Sequence, residues 1–382
     1  MTKRKHFRVA VIGGDGIGPE VVDAAIPSIE RAAAIAGGTI AWERLPYGAD
    51  HFLRTGETLP DHAFEHLKHD VDAILVGALG DPRVPDQAHA RDILLGLRFR
   101  LDLYINFRPC TLLHPDLCPL KGEFGAVAAD GGAGGWADGE VPKAANRPTA
   151  QPPNRRVIDF VIFRENTEGL YLARGSSRNV GTKDEEQIAE EVHTAPKVNR
   201  IIRAAFEWAR AHGRRRVTMA DKSNAVPAHH LWQRVFAEVA TEFPGIEHEH
   251  YYVDALCMQL VKRPDRFDVI VTNNMFGDIL SDLGSQLVGG LGIAPSANLH
   301  PGQAGLFEPV HGSAPKYAGQ GTANPLATIL TGALMLEQLG LGEGAARLTA
   351  AVRASLEGGV RTRDLGGTAT TRDVATAVAG AV

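Results

Sequence analysis

The segment VAVIGGDGIGPEVVDAA, residues 9–25, constrains the fold of this chain more than any other: four apolar residues, a glycine cluster, then a helix-forming run. Residues 9–12 read as a buried strand, and Gly13, Gly14, Gly16 and Gly18 as a tight turn. The remainder reads as a helix with Pro19 in its first turn and Glu20 beside its positive end. A strand, turn and helix in that order is the signature of an α/β fold. DAILVGA (72–78), VIDFVIF (157–163) and DVIVT (268–272) are further short apolar runs suited to strands buried on both faces.

Helical periods are equally legible. Val198, Ile201, Ile202, Ala205, Phe206 and Ala209 recur at three and four, with Gly213 as the stop. Residues 326–339 are apolar nearly all round, which predicts a helix buried in a core or a subunit contact, with Asn324 as N-cap and Pro325 in the first turn. Residues 123–156 are rich in Gly, Ala, Pro and Asn without apolar period, and are expected to form a mobile surface loop. At roughly 100 to 200 residues per domain, 382 residues predict two domains or one large α/β unit.

Forty basic against 45 acidic residues leave a net charge of -5, so the bulk charge excludes a nucleic-acid-coating protein, and any bound anion is held by local arginines. Cys110, Cys118 and Cys257 are odd in number and form no C-x-x-C pair, which supports neither a disulfide framework nor a structural zinc site and points to the reducing cytoplasm. Lys3, Arg4 and Lys5 precede an apolar stretch of only residues 9–12, too short for a signal-peptide core or a membrane span.

Three groups of residues carry chemistry. The glycine cluster does not meet the G-x-G-x-x-G spacing, because position 19 is Pro and 21 is Val. A turn that needs glycine backbone angles is as good a reading as a dinucleotide loop, and Asp15 and Glu20 argue against a cradle for bare phosphates. In NNMFGDILSDLG, Asp278 and Asp282 stand four apart on one helix face, among Phe276, Ile279, Leu280 and Leu283. Partly buried carboxylates there need a cation, and with a third from an Asp such as Asp254 they suit Mg²⁺ or Mn²⁺. Arg98, Arg108 and Arg164 sit in otherwise core-like segments, where a buried guanidinium must find an anion such as a carboxylate. Together with a divalent cation they describe a pocket for a di- or tricarboxylate. Lys222, after the strand-like VTM, and Tyr171, in RENTEGLY, would make a proton-transfer pair if placed near that metal.

Seven motifs, in this order and over nearly the whole chain, resemble the metal-dependent β-decarboxylating dehydrogenases of 2-hydroxy acids, which act on isopropylmalate, isocitrate, homoisocitrate, D-malate or tartrate. They are GDGIGPE (14–20), LRFRLDLYINFRP (97–109), RENTEGLY (164–171), DKSN (221–224), VDALC (253–257), NMFGDILSDLG (274–284) and EPVHGSAPKYAGQGTANP (308–325). The resemblance implies a two-domain, non-Rossmann α/β fold. In it, residues 1–103 and 289–382 form a large cofactor-side domain, and residues 104–288 form an inserted smaller domain with the dimer contacts. It further implies oxidative decarboxylation of a malate-type diacid to a 2-keto acid plus CO₂. Arg98, Arg108 and Arg164 would hold carboxylates, Asp254, Asp278 and Asp282 the Mg²⁺ or Mn²⁺, Lys222 would be the general base and Tyr171 the proton donor. His311, Gly312, Ser313, Ala314 and Asn324 would lie against the cofactor. Lys222 and Asp254 would reach in from the partner of a homodimer.

Two departures bear on specificity. Lys316 and Tyr317 stand where NAD-dependent members carry Asp-Ile, and Lys-Tyr resembles NADP-dependent isocitrate enzymes, so NADP is favoured, although Ala323 before Asn324 resembles the NAD type. Leu94 and Leu95, one turn before Arg98, resemble the apolar positions of isopropylmalate enzymes, but D-malate and tartrate enzymes share them. Asp92 and Leu94 replace the Ser and Asn of isocitrate enzymes. Arg91 stands where isopropylmalate enzymes have Glu, so it reads either as a contact for an extra anionic substituent, carboxylate or phosphonate, or as a salt-bridge partner of Asp92 or a neighbour. The segments GIAPSANLHP and LFEPVHGSAP are closer to the D-malate and tartrate branch. A non-catalytic regulatory relative would lack a metal Asp, the Lys or the Tyr, all of which are present.

Overall fold

The computed structural model describes residues 5–127 and 156–382. Ten strands form one sheet: β1 (Lys5–Gly14), β2 (Gly38–Leu45), β3 (Ala73–Ala78), β4 (Ile105–Thr111), β5 (Asp159–Glu165), β6 (Arg216–Asp221), β7 (Glu247–Tyr252), β8 (Val269–Thr272), β9 (Pro295–Leu299) and β10 (Gly305–Pro309). Their order is β7-β6-β8-β5-β4-β9-β10-β3-β1-β2. Pairs are parallel except β4·β5, β4·β9 and β9·β10. All strands from β9 to β2 in this order lie outside residues 104–288, and all strands from β7 to β4 lie inside them.

The opening motif folds as its pattern demands. Residues 9–12 form the buried centre of β1, which pairs with β2 and β3 on either side. Gly14 and Gly16 turn the chain at φ +77 and +58, and helix α1 (Gly18–Ile35) starts with Pro19 in its first turn. A Cβ at Gly16 would meet the Ser313 carbonyl oxygen at 2.0 Å, so this turn is pinned against the 311–314 loop by the absence of a side chain.

The amphipathic helix Ala195–Ala211 buries all six residues of its predicted stripe, and Gly213 ends it at φ +61. The helix Leu326–Gln338 lies in the core, between α1, the helix Gly342–Glu357 and β9 and β10, so its apolar surface does not imply an oligomer. Its N-cap is Pro325. Asn324 stands one residue earlier and caps with its Oδ1, which accepts from Leu326 N–H at 3.0 Å.

The predicted loop of residues 123–156 is ordered at both ends, where Phe124–Gly125 and Arg156–Val157 pair as two short parallel strands. Residues 128–155 lie outside the described residues. No helix among the described residues is long and apolar enough to cross a membrane.

Candidate active site

The arginines meet where the two halves of the sheet join. Arg98 closes the helix α2 (Ala88–Arg100), Arg108 lies in the middle of β4, and Arg164 lies on the neighbouring β5, where it registers with Asn106. All three are buried. Arg98 donates to Glu308 of β10, and Asn298 Nδ2 donates to the same carboxylate at 2.8 Å. Asn106 links Asn298 to Arg108, donating to the one at 2.8 Å and accepting from the other's Nε at 2.9 Å. Burial lowers the pKa of Arg108, with Glu308 opposing, and Arg98 Nε is buried without a partner. One Glu308 carboxylate faces a guanidinium cluster with donor capacity to spare, which is the environment a bound dianion requires.

Beside it, Arg164 is held from two directions. Its Nε donates to Asn274 Oδ1 at 2.8 Å and its Nη1 donates to Asp278. Both partners belong to α3 (Asn274–Val288), whose Asn273 N-cap accepts from Phe276 N–H. A Cβ at Gly277 would lie 2.5 Å from Arg164 Cβ, so glycine there lets the guanidinium's stem lie flat on the helix. Asp278 also accepts from Tyr171 Oη at 2.9 Å. Burial and the adjacent Asp278 raise the Tyr171 pKa, so this phenol keeps its proton.

Asp278 and Asp282 share a face of α3, but that face is more open than their apolar neighbours imply. Asp278 is half-buried, Asp282 is exposed and Ile279 is 54% exposed. Burial pushes Asp278 up, but Arg164 and Tyr171 outweigh it and hold its carboxyl below the usual range. Asp282 is raised, by burial first, and makes no hydrogen bond or salt bridge among the described residues. A hard divalent cation between these carboxylates would remove that imbalance, so the donor set fits Mg²⁺ or Mn²⁺.

Lys222 follows β6 directly, and its Nζ lies 2.7 Å from Asp254, in the first turn of the helix Val253–Lys262. The pair is open to solvent, with 28% and 64% of the side chains exposed. No hydrogen bond or ion pair among the described residues joins the side chain of Lys222 or Asp254 to Tyr171, Asp278 or Asp282. One chain therefore holds the proposed base and the proposed acid in two separate clusters.

On α2, Arg91, Leu94, Leu95 and Arg98 fall at spacings of three, four and seven and line one stripe. Leu94 and Leu95 are half-buried. Arg91 is exposed, and its Nε lies 3.8 Å from Asp92 Oδ1, the neighbour named in the structural reading.

On the other side of the glycine turn lies the 311–324 segment. Asp15 uses its oxygens on Ala49 N–H, Gly80 N–H and the buried His89, so the turn's carboxylate is structural. Ser313 accepts from Ile17 N–H, and Ala314 adopts φ +40. His311 donates from Nδ1 to the Gly312 carbonyl and leaves Nε2 buried and unpartnered; burial lowers its pKa. Asn324 Nδ2 reaches Asp364 at 2.9 Å. Lys316 Nζ lies 4.8 Å from the ring centre of the exposed Tyr317, and no acid replaces them. The unpartnered Nε2 of His311, beside the Gly16 turn, leaves one ring nitrogen with hydrogen-bonding capacity for a bound ligand.

Sequence reasoning missed Glu308, Asn298, Asn106 and Asn274, which hold the arginines. The acid in LFEPV, between apolar residues, was the available signal for the first.

An α/β sheet with a guanidinium cluster, a carboxylate pair and a phenol that keeps its proton at its seam is the setting of an enzyme that recognises an acidic substrate. A family model described as isocitrate/isopropylmalate dehydrogenase matches residues 8–128 and 140–378. The 3-isopropylmalate dehydrogenase of Beutenbergia cavernae is 42% identical over 92% of this chain and 93% of its own. That of Thermobifida fusca is 40% identical over 94% of each. The isocitrate dehydrogenase of Methylococcus capsulatus superposes with a TM-score of 0.80 at 35% identity over 98% of this chain and 99% of its own. A β-decarboxylating dehydrogenase of Thermococcus kodakarensis gives 0.74 at 34% identity over 98% and 96%. The chain belongs to the isocitrate/isopropylmalate dehydrogenase family. Its reaction is nicotinamide- and divalent-metal-dependent oxidative decarboxylation of a malate-type 2-hydroxy diacid.

Proposed function

We propose that this protein oxidises and decarboxylates a malate carrying an apolar C3 substituent, of the 3-isopropylmalate type, in a homodimer with shared active sites. The observation that carries the reading is the stripe on α2, where half-buried Leu94 and Leu95 lead to Arg98 at the guanidinium cluster. Arg98, Arg108 and Arg164 hold the two carboxylates of the malate and fix its orientation. Asp278 and Asp282, with Asp254, hold Mg²⁺ or Mn²⁺. When bound, the cation would supply stabilisation of negative charge on the substrate's oxygens, and a nicotinamide would supply the hydride acceptor. Lys222 removes the hydroxyl proton, directly or through a water. Tyr171, held protonated, returns one to C3 after CO₂ departs.

His311, Gly312, Ser313, Ala314 and Asn324 receive the cofactor. Lys316 and Tyr317 favour NADP, since a cation over an aromatic ring accepts a 2′-phosphate that an acidic residue would repel. The domain division at residues 103/104 and 288/289 is supported by the strand order, and a cytoplasmic setting by the free Cys110, Cys118 and Cys257. Arg91 favours a second reading, a substrate with an additional anionic group, because among the described residues its one partner is Asp92 at 3.8 Å.

Initial rates of reduced-cofactor formation with Mn²⁺ test all of this at once. The panel is 3-isopropylmalate, D-malate, tartrate, isocitrate and homoisocitrate, each with NADP and NAD. The highest kcat/KM is expected for 3-isopropylmalate with NADP. A tenfold preference for NAD refutes the cofactor assignment, and a preference for a tricarboxylate, lost in Arg91→Ala, moves the substrate to the second reading.

A further inference from the structure

The structure assigns a buried hub, Glu191 with His193 and His229, that no catalytic role above uses. His229 is fully buried, and Glu191 Oε1 lies 3.1 Å from the Nε2 of each histidine. The three donors fall within 4.8 Å of one another, as in a metal site. The hydrogen bonds argue otherwise. His229 Nδ1 faces the backbone N–H of Lys222 at 3.0 Å, and an amide N–H can only donate. Nδ1 is therefore the bare acceptor and the ring proton sits on Nε2, which lies 3.1 Å from Glu191 Oε1 and 3.4 Å from Asn273 Nδ2 and has no lone pair to offer a metal.

The hub touches all three chemistry-bearing elements. Through His229 it holds the backbone of Lys222. Through Asn273 Nδ2, 3.3 Å from Glu191 Oε1, it holds the N-cap of α3, the helix of Asp278 and Asp282. Between Glu191 and His193, the Val192 carbonyl accepts from Gly169 N–H at 3.0 Å, at the start of the turn Gly169–Leu172 that carries Tyr171.

We propose that His229, oriented by Glu191, is a positioning residue that fixes the backbone of Lys222, the group that the shared-site reading sends into the partner's site. The inference rests on Lys222 as general base. Displacing a reacting group by about 1 Å costs on the order of a hundredfold in rate.

Two isosteres separate the bonds. His229→Asn places an amide oxygen where Nδ1 was and keeps the bond to Lys222 N–H. His229→Gln reaches toward Glu191 and loses it. On the metal-saturated enzyme, with whichever diacid is turned over, kcat is expected to fall on the order of a hundredfold in His229→Gln, with KM within about twofold, and to stay within about threefold in His229→Asn. Equal losses in both variants, or a loss confined to KM, overturn the proposal. Lys222→Ala is the control: if it keeps wild-type turnover, the base assignment fails, and if it is inactive while His229→Gln is not, only the hub fails. Independently of turnover, ¹⁵N-histidine spectra are expected to place the proton of His229 on Nε2. An Nδ1–H tautomer, or Zn²⁺ binding abolished by His193→Ala, overturns the proposal as well.

Discussion

At the residue scale the site is a problem of burying charge. Three guanidiniums lie in the core, and Glu308 is the carboxylate placed among them. Burial pushes its pKa up, but Arg98 outweighs that and the folded value lies below the ordinary one. A depressed carboxylate contributes stability that is fully present above its unfolded pKa of about 4.3 and is lost as pH falls through the folded value. Glu308→Ala, which leaves Arg98 buried without its partner, is expected to cost about 3 to 5 kcal/mol. Glu308→Gln is expected to flatten the melting temperature between pH 5 and 3 relative to wild type, measured by thermal unfolding in that window. An unchanged acid limb would show that Glu308 is not what the pH dependence reports. The sequence made Arg98, Arg108 and Arg164 legible because guanidiniums among Leu, Phe and Ile have no other place to go. Glu308 showed only as an acid between apolar residues, because the partners that bury it come from α2 and β9, away from its own stretch of chain.

At the element scale, α3 carries the site only because it can lie against β5. Gly277 is the contact point, with Arg164 Cβ and Cγ both 2.5 Å from where a Cβ would stand. Gly277→Ala is expected to lose about 1 to 3 kcal/mol by overpacking and, by pushing Arg164 aside, to raise KM for the diacid about tenfold with a smaller effect on kcat. Thermal melts and steady-state kinetics on the same preparation check both. Unchanged KM would mean that Arg164 does not hold substrate. At the chain's other end, Thr370 and Asp373 form a capping box on the helix Thr371–Ala381. Thr370→Ala is expected to cost about 1 kcal/mol with no change in kinetics. Elements such as β1, α1 and Leu326–Gln338 were legible because one stretch of sequence holds their whole pattern. The ten-strand order and the Glu191 hub were not: Asn273 and Glu191 stand 82 positions apart, and no local period reports such a contact.

At the scale of the molecule, the described chain leaves a surface that water does not explain. Met258 and Val261 are 66% and 48% exposed, and they follow Asp254 at four and seven on one stripe of the helix Val253–Lys262. Ile279, on the site's own helix, is 54% exposed. An apolar stripe headed by the Lys222–Asp254 pair fits a second copy of the chain, which would bring that pair to its neighbour's Tyr171 and Asp278. Apolar neighbours pointed to burial, but Ile279 among them is itself exposed, which is why the exposure of Asp282 was not foreseen. Two inactive variants decide whether the site is shared. Lys222→Ala and Tyr171→Phe, each dead alone, are unfolded together and refolded as a mixture. If the base comes from the partner, half of the dimers are hybrids, each with one site that has both groups, and about a quarter of wild-type activity returns. If base and acid act within one chain, every site in every hybrid lacks one of them and the mixture stays inactive. Met258→Asp in either parent is expected to prevent the recovery, with light scattering reporting a monomer, because the charge falls on the stripe the two copies would bury.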